Sequence, residues 1–122
     1  MQSDTYLKHF QAPVNVGEVA EPRTLIEVEH QGGGCFDRLR LTLRVQDGVI
    51  VQAMFKARAC SGTIAASSAA TEWATGKSLE EAAAFTADML TDYLGGVPER
   101  KRHSVELAAE AVRKAAEEAR QG

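Results

Sequence analysis

Residues 39–58 read LRLTLRVQDGVIVQAMFKAR, and this stretch decides the fold. Leu39, Leu41, Leu43 and Val45 alternate with Arg40, Thr42 and Arg44, and the alternation extends back to Arg38. A period of two is that of a half-buried strand. After Gln46-Asp47-Gly48 a second run sets Val49, Val51, Ala53, Phe55 and Ala57 on one face and Ile50, Gln52, Met54, Lys56 and Arg58 on the other. Two such runs around an Asp-Gly pair make a hairpin. A two-residue Asp47-Gly48 turn sets Leu39 opposite Lys56 and Leu43 opposite Gln52, which mixes the faces. A three-residue loop with Gly48 left-handed sets Leu39 opposite Phe55, Leu41 opposite Ala53 and Leu43 opposite Val51. The second register is therefore expected, and its open end places Cys35 opposite Ala59.

Upstream, Thr24, Ile26 and Val28 alternate with Leu25, Glu27 and Glu29, which predicts another strand over Thr24–His30. A short helix is expected over Asp4–Phe10, ended by Pro13 and Gly17. Downstream the chain reads as helical. Ser61 is placed to cap a helix through Thr75 with Gly76 as its stop. Ser78 and Glu81 form a capping box, and the segment after them runs to Gly95, with a break near Thr86. A last helix from Ser104 to Arg120 repeats Val105, Ala108, Val112, Ala115 and Ala119, with Ser104 at its N-cap. Strands followed by helices give an α+β domain, a three-stranded antiparallel sheet with helices packed on one face and its polar face in water. One domain over residues 1–122 is expected.

The 44% hydrophobic and 25% charged residues exclude a disordered or fibrous chain. A net charge of -3 argues against a nucleic-acid binder. Arg38, Arg40, Arg44, Lys56 and Arg58 form a positive stripe able to attract an acidic partner or RNA, but no aromatic interleaves it. No apolar stretch is long enough to span a bilayer and the first residues hold no signal core, so a cytoplasmic location is expected. Trp73 reads as core.

Cys35 and Cys60 are the only cysteines. Taken singly, each reads as a small buried hydrophobe. In the expected register they stand across the open end of the hairpin, at a cross-strand separation of roughly 5 Å. Asp37 shares a strand face with Cys35, and Cys60 opens a helix whose amides favour a thiolate. That convergence favours metal binding over burial.

Several motifs along the chain resemble the IscU/NifU N-terminal family. His9-Phe10-Gln11-Ala12-Pro13-Val14-Asn15-Val16-Gly17 is similar to its H-[YF]-x-x-P-x-N-x-G segment, and Cys35-Phe36-Asp37 to its C-G-D. Asp47 through Lys77 resembles D-G-x-I…F-K-x-x-G-C-x-x-A-I-A-S-S-S…T-E…G-K, and Leu94-Gly95-Gly96-Val97-Pro98, Lys101, His103 and Leu107-Ala108 resemble the final loop and helix. The resemblance implies an IscU/SufE-like fold and a scaffold, not an enzyme, that holds iron or a nascent [2Fe-2S] cluster, with zinc as an alternative occupant. The implied ligands are Cys35, Asp37, Cys60 and His103. The family's third cysteine falls at Ser104, a poor ligand, which puts sulfur acceptance from a cysteine desulfurase in question. The implied partners are that desulfurase, apo-protein acceptors and a chaperone contacting Val97, Pro98 and Lys101. Glu99 and Arg100 replace the apolar residues of the family's Leu-Pro-Pro-Val-Lys loop. Ala59 stands where the family has glycine, which implies strain if that position needs a positive φ. A monomer or weak dimer is expected. The competing reading is a degenerate member acting as a zinc-binding or regulatory partner of the desulfurase.

Overall fold

The computed structural model describes residues 4–32 and 35–121, without the side chains of residues 31, 32, 35 and 36. Helix α1 (Asp4–Gln11) precedes strands β1 (Thr24–Gly32), β2 (Cys35–Gln46) and β3 (Val49–Arg58). Helices α2 (Ser61–Ala74), α3 (Leu79–Ala83) and α4 (Ala87–Leu94) follow, then a 3-10 turn (Glu99–Lys101) and α5 (Arg102–Gln121). The sheet is antiparallel in the order β1-β2-β3. Its inner face buries Val28, Leu39, Leu41, Leu43, Ala53 and Phe55. Alanines of α2 (Ala65, Ala66, Ala69 and Ala70) and of α5 (Ala108, Ala109, Ala115 and Ala116) are fully covered against it. Their short side chains bring the helix backbones close to the sheet and to each other.

The hairpin register differs from the sequence expectation. Gln46 pairs with Val49 across a two-residue turn, and Asp47 (φ 54°) and Gly48 (φ 74°) are both left-handed. Two left-handed central residues are the requirement of a type I′ turn, whose twist matches that of the flanking strands. The mixing of faces that such a turn imposes is removed by a bulge. Val45 pairs with Ile50 while Arg44 pairs with Gln52, so Val51 has no opposite number. Beyond it Leu43 faces Ala53, Leu41 faces Phe55 and Leu39 faces Ala57. The bulge also reverses two orientations: Ile50 points into the core and Val51 is 42% exposed. The paired ladder ends at Arg38 and Arg58, so the expected rung of Cys35 with Ala59 does not form. Because Gly48 is left-handed, Gly48→Val is expected to cost about 1–2 kcal/mol. A lower urea midpoint at unchanged m is the readout.

The outer face is only partly in water. Thr42 is buried there, because residues 14–20 run across the sheet and the Val19 amide donates to Thr42 Oγ1 at 2.9 Å. Arg44 donates to the Ala20 carbonyl at 2.6 Å, and Arg40 pairs with Glu18 at 3.2 Å. The same segment docks on the edge of β3, where the Phe55 amide donates to the Asn15 carbonyl and the Gly17 amide to the Phe55 carbonyl.

The helix boundaries follow local chemistry. Ser78 and Glu81 form the reciprocal capping box, and the Thr86 hydroxyl caps α4 by accepting from the Met89 amide. Trp73 stacks on Phe85 at 3.9 Å and packs against the core. Two caps differ from expectation. Cys60, not Ser61, is the N-cap of α2, and Ser104 lies inside α5 because the Glu99–Lys101 turn feeds the helix from Arg102.

Candidate metal centre

Three elements end at one corner of the molecule. Asp37 sits near the start of β2, Cys60 is the N-cap of α2, and His103 lies in the first turn of α5. Their ligand atoms all lie within 4.8 Å of one another, the group among the described residues best suited to a metal ion. Asp37 Oδ2 is 3.9 Å from Cys60 Sγ and 3.7 Å from His103 Nε2. Donors around a tetrahedral zinc ion stand about 3.3–3.5 Å apart. The two Asp37 pairs are within a few tenths of an ångström of that spacing, and Cys60 and His103, within 4.8 Å of each other, would draw closer on binding. One sulfur, one imidazole nitrogen and one carboxylate are a donor set suited to zinc or iron. Cys35 is the first residue of β2, and its side chain lies outside the described residues.

Asp37 is 1% exposed, and among the described residues no lysine or arginine pairs with it. Its Oδ2 accepts from the Thr63 hydroxyl at 2.7 Å and its Oδ1 from the Cys60 amide at 3.3 Å. Burial acts to push the Cys60 thiol up. Hydrogen bonds from the Thr63 side chain and amide and from Ser104 outweigh it and the repulsion of Asp37, leaving the thiol below its ordinary value. A buried carboxylate and a readily formed thiolate thus share one corner. Two negative charges so close are stabilised by a cation.

Ser104 is fully buried and faces this corner, its Oγ 3.8 Å from Cys60 Sγ, 2.9 Å from Thr63 Oγ1 and 3.4 Å from His103 Nε2. The expected N-cap role is therefore replaced by one inside the site. Thr63 and Ser104 bring one hydroxyl proton each to a cluster with several acceptors. The Thr63 proton is shared between the Asp37 carboxylate at 2.7 Å and the Cys60 sulfur at 3.6 Å, and the Ser104 hydroxyl stands within reach of both Thr63 Oγ1 and that sulfur.

Residues 1–121 match the family described as NifU-like N terminal domain. The chain belongs to that family. It is 39% identical over 115 residues to the iron-sulfur cluster assembly scaffold protein IscU 1 of Archaeoglobus fulgidus, across 94% of this chain and 74% of that one. It is 35% identical over 120 residues to the iron-sulfur cluster assembly scaffold protein IscU of Escherichia coli, across 93% and 89%. The crystal structure of a NifU-like N-terminal protein from Brucella abortus has the same fold, with a TM-score of 0.74 at 19% identity over 98% of this chain and 94% of that one.

Within this NifU-like domain two polar neighbours of the site escape sequence reasoning. Thr63 stands where the family pattern has alanine, and its hydroxyl reaches Asp37, Ser104 and Cys60. A threonine two places inside a helix carries no signal of such a role. His30 stacks on His103, and it did leave a signal: it continues the inward face of Ile26 and Val28, where a polar residue is out of place. Ala59 is not among the residues with positive φ, so the strain expected for replacing the family glycine is absent.

The final loop is not extended. Glu99–Lys101 form a 3-10 turn, and Val97 packs against the core. Val97, Pro98 and Glu99 line a small crevice with Thr91, Arg102 and Val105. The Lys101 stem lies over Gly62, where a Cβ would stand 2.9 Å from Lys101 Cδ. Among the described residues no helix is long and apolar enough to cross a membrane.

Proposed function

We propose that this chain is an iron-sulfur cluster assembly scaffold or carrier. It holds iron and sulfide as cargo at Asp37, Cys60 and His103, with Cys35 as the fourth ligand, and turns nothing over itself. The observation that carries this reading is the meeting of three donors of different chemistry, from elements far apart in sequence, within 4.8 Å of one another. Cys60 supplies the thiolate that bonds iron, His103 a neutral nitrogen, and Asp37 an anionic oxygen held in place by Thr63. The partners this role requires are a cysteine desulfurase as sulfur source and apo-proteins as acceptors. Val97, Pro98 and Lys101 are the residues a chaperone would contact, and unwinding of the Glu99–Lys101 turn would be needed to present them.

Anaerobic reconstitution of the purified protein with iron, cysteine and a desulfurase is expected to give a coloured species carrying acid-labile sulfide, lost in Cys60→Ala. Colourless protein from wild type would overturn the proposal. A second reading is favoured by Ser104, whose hydroxyl stands where the family pattern has a thiolate. The site then holds zinc, and the domain regulates the desulfurase without accepting sulfur. One equivalent of zinc in the purified protein, with no labile sulfide after reconstitution, would support that reading.

A further inference from the structure

We propose that His30 is a positioning residue that sets the ring plane of His103 at the metal centre, an inference that rests on the reading of this corner as a metal- and cluster-holding site. His103 leaves the first turn of α5 with its side chain 27% exposed, and its polar contacts within the site are long, 3.4 Å to Ser104 Oγ and 3.7 Å to Asp37 Oδ2. Contacts of that length do not fix a ring. The His30 ring does, lying against it at a centroid separation of 5.1 Å and an interplanar angle of 27°.

The backbone makes this contact durable. His30 pairs directly with Asp37 in the β1-β2 ladder, so one rung carries both the carboxylate and the ring that abuts His103. Residues directly opposite in an antiparallel pair project to the same side of the sheet. His30 is therefore tied to the coordinate frame of Asp37, and through it the loosely held imidazole of α5 is referred to the sheet. A ligand histidine needs its nitrogen aimed at the metal, and hydrogen-bonded partners that orient its ring commonly change metal affinity by about 10-fold or more; a stacked ring constrains the same plane. The group of mutually close donor atoms does not include His30, which separates its role from that of a ligand.

The test is anaerobic titration of the full chain with Co²⁺, followed by its visible absorption and by Zn²⁺ competition, for wild type, His30→Ala and His30→Phe. His30→Ala is expected to bind Co²⁺ about 10-fold more weakly, with an altered ligand-field band. His30→Phe, which keeps a flat ring and removes the nitrogens, is expected to restore wild-type affinity and band shape. Wild-type binding by His30→Ala overturns the inference while leaving the site intact. Equal weakness of both variants also overturns it, because a nitrogen and not the ring face would then be at work. Absence of any Co²⁺ band in wild type overturns the site itself, and this inference with it.

Discussion

Ser104→Cys is expected to retain metal and acid-labile sulfide far more firmly than wild type after anaerobic purification. The hydroxyl it replaces is fully buried and 3.8 Å from Cys60 Sγ, so the new sulfur would face the site without a change of backbone. A protonated hydroxyl is a weak donor for iron or zinc, whereas a thiolate is a strong one. Structural zinc sites gain about 10–16 kcal/mol from four ligands. A thiolate that takes the place of a weaker donor gains up to a quarter of this, at most about 3 kcal/mol or on the order of 100-fold in affinity. Zinc competition with a chelator, and sulfide content after passage through a desalting column, measure the gain. Equal retention by the two proteins would show that position 104 does not reach the cargo.

Thr63→Val is expected to weaken the fold and the thiolate together. Valine matches threonine in shape, so packing is kept and only the hydroxyl is lost. That hydroxyl is the shortest donor to a carboxylate that is 1% exposed. Hydrogen bonds to charged groups are worth about 1.5–3 kcal/mol, which for a domain of this size lowers the melting temperature by about 5–15 °C. Cys60 loses a group that stabilises its thiolate and meets a less neutralised Asp37, so its pKa rises. The rate of alkylation against pH reads this directly. The thiol's folded pKa lies below its reference value of 9.0, so its share of stability is complete above that pH and is lost as pH falls through the lowered value. The gap between wild type and Thr63→Val should accordingly widen toward alkaline pH. An unshifted alkylation profile with unchanged melting would mean that Thr63 Oγ1 is bonded elsewhere.

What the sequence made legible, and what it did not, follows from where the information resides. The capping box at Ser78 and Glu81 and the break at Thr86 are local, made by side chains within one turn, and both form as expected. The antiparallel sheet follows from period-two alternation. The hairpin register does not, because Val49, Ile50 and Val51 are all apolar and leave no mark of which one is extruded. Turn chemistry at Asp47-Gly48 and facial matching of the leucines each pointed to a different register, and a bulge satisfies both. Ser104 was misplaced because serine is a good cap wherever a helix starts, and the short turn upstream shifts that start to Arg102. Asp37 and Cys60 are legible from strand face and helix start as well as from the motifs, His103 from resemblance alone, and the structure brings the three together. Thr63 and His30 were not named, since their roles arise only when β1, α2 and α5 meet.

The two sides of the sheet are unequally guarded. Along β3, Asn15 and Gly17 engage Phe55, and Gly76 and Lys77 engage Ile50, so the outward backbone groups of those two residues are already taken. Among the described residues nothing pairs with the far side of β1, where Glu27 and Glu29 are exposed. Growth of the sheet by a visiting strand, whether a second copy or a client segment, is thereby favoured on the β1 flank, where the charges of Glu27 and Glu29 are offset by Arg40 and Arg38 of the neighbouring strand.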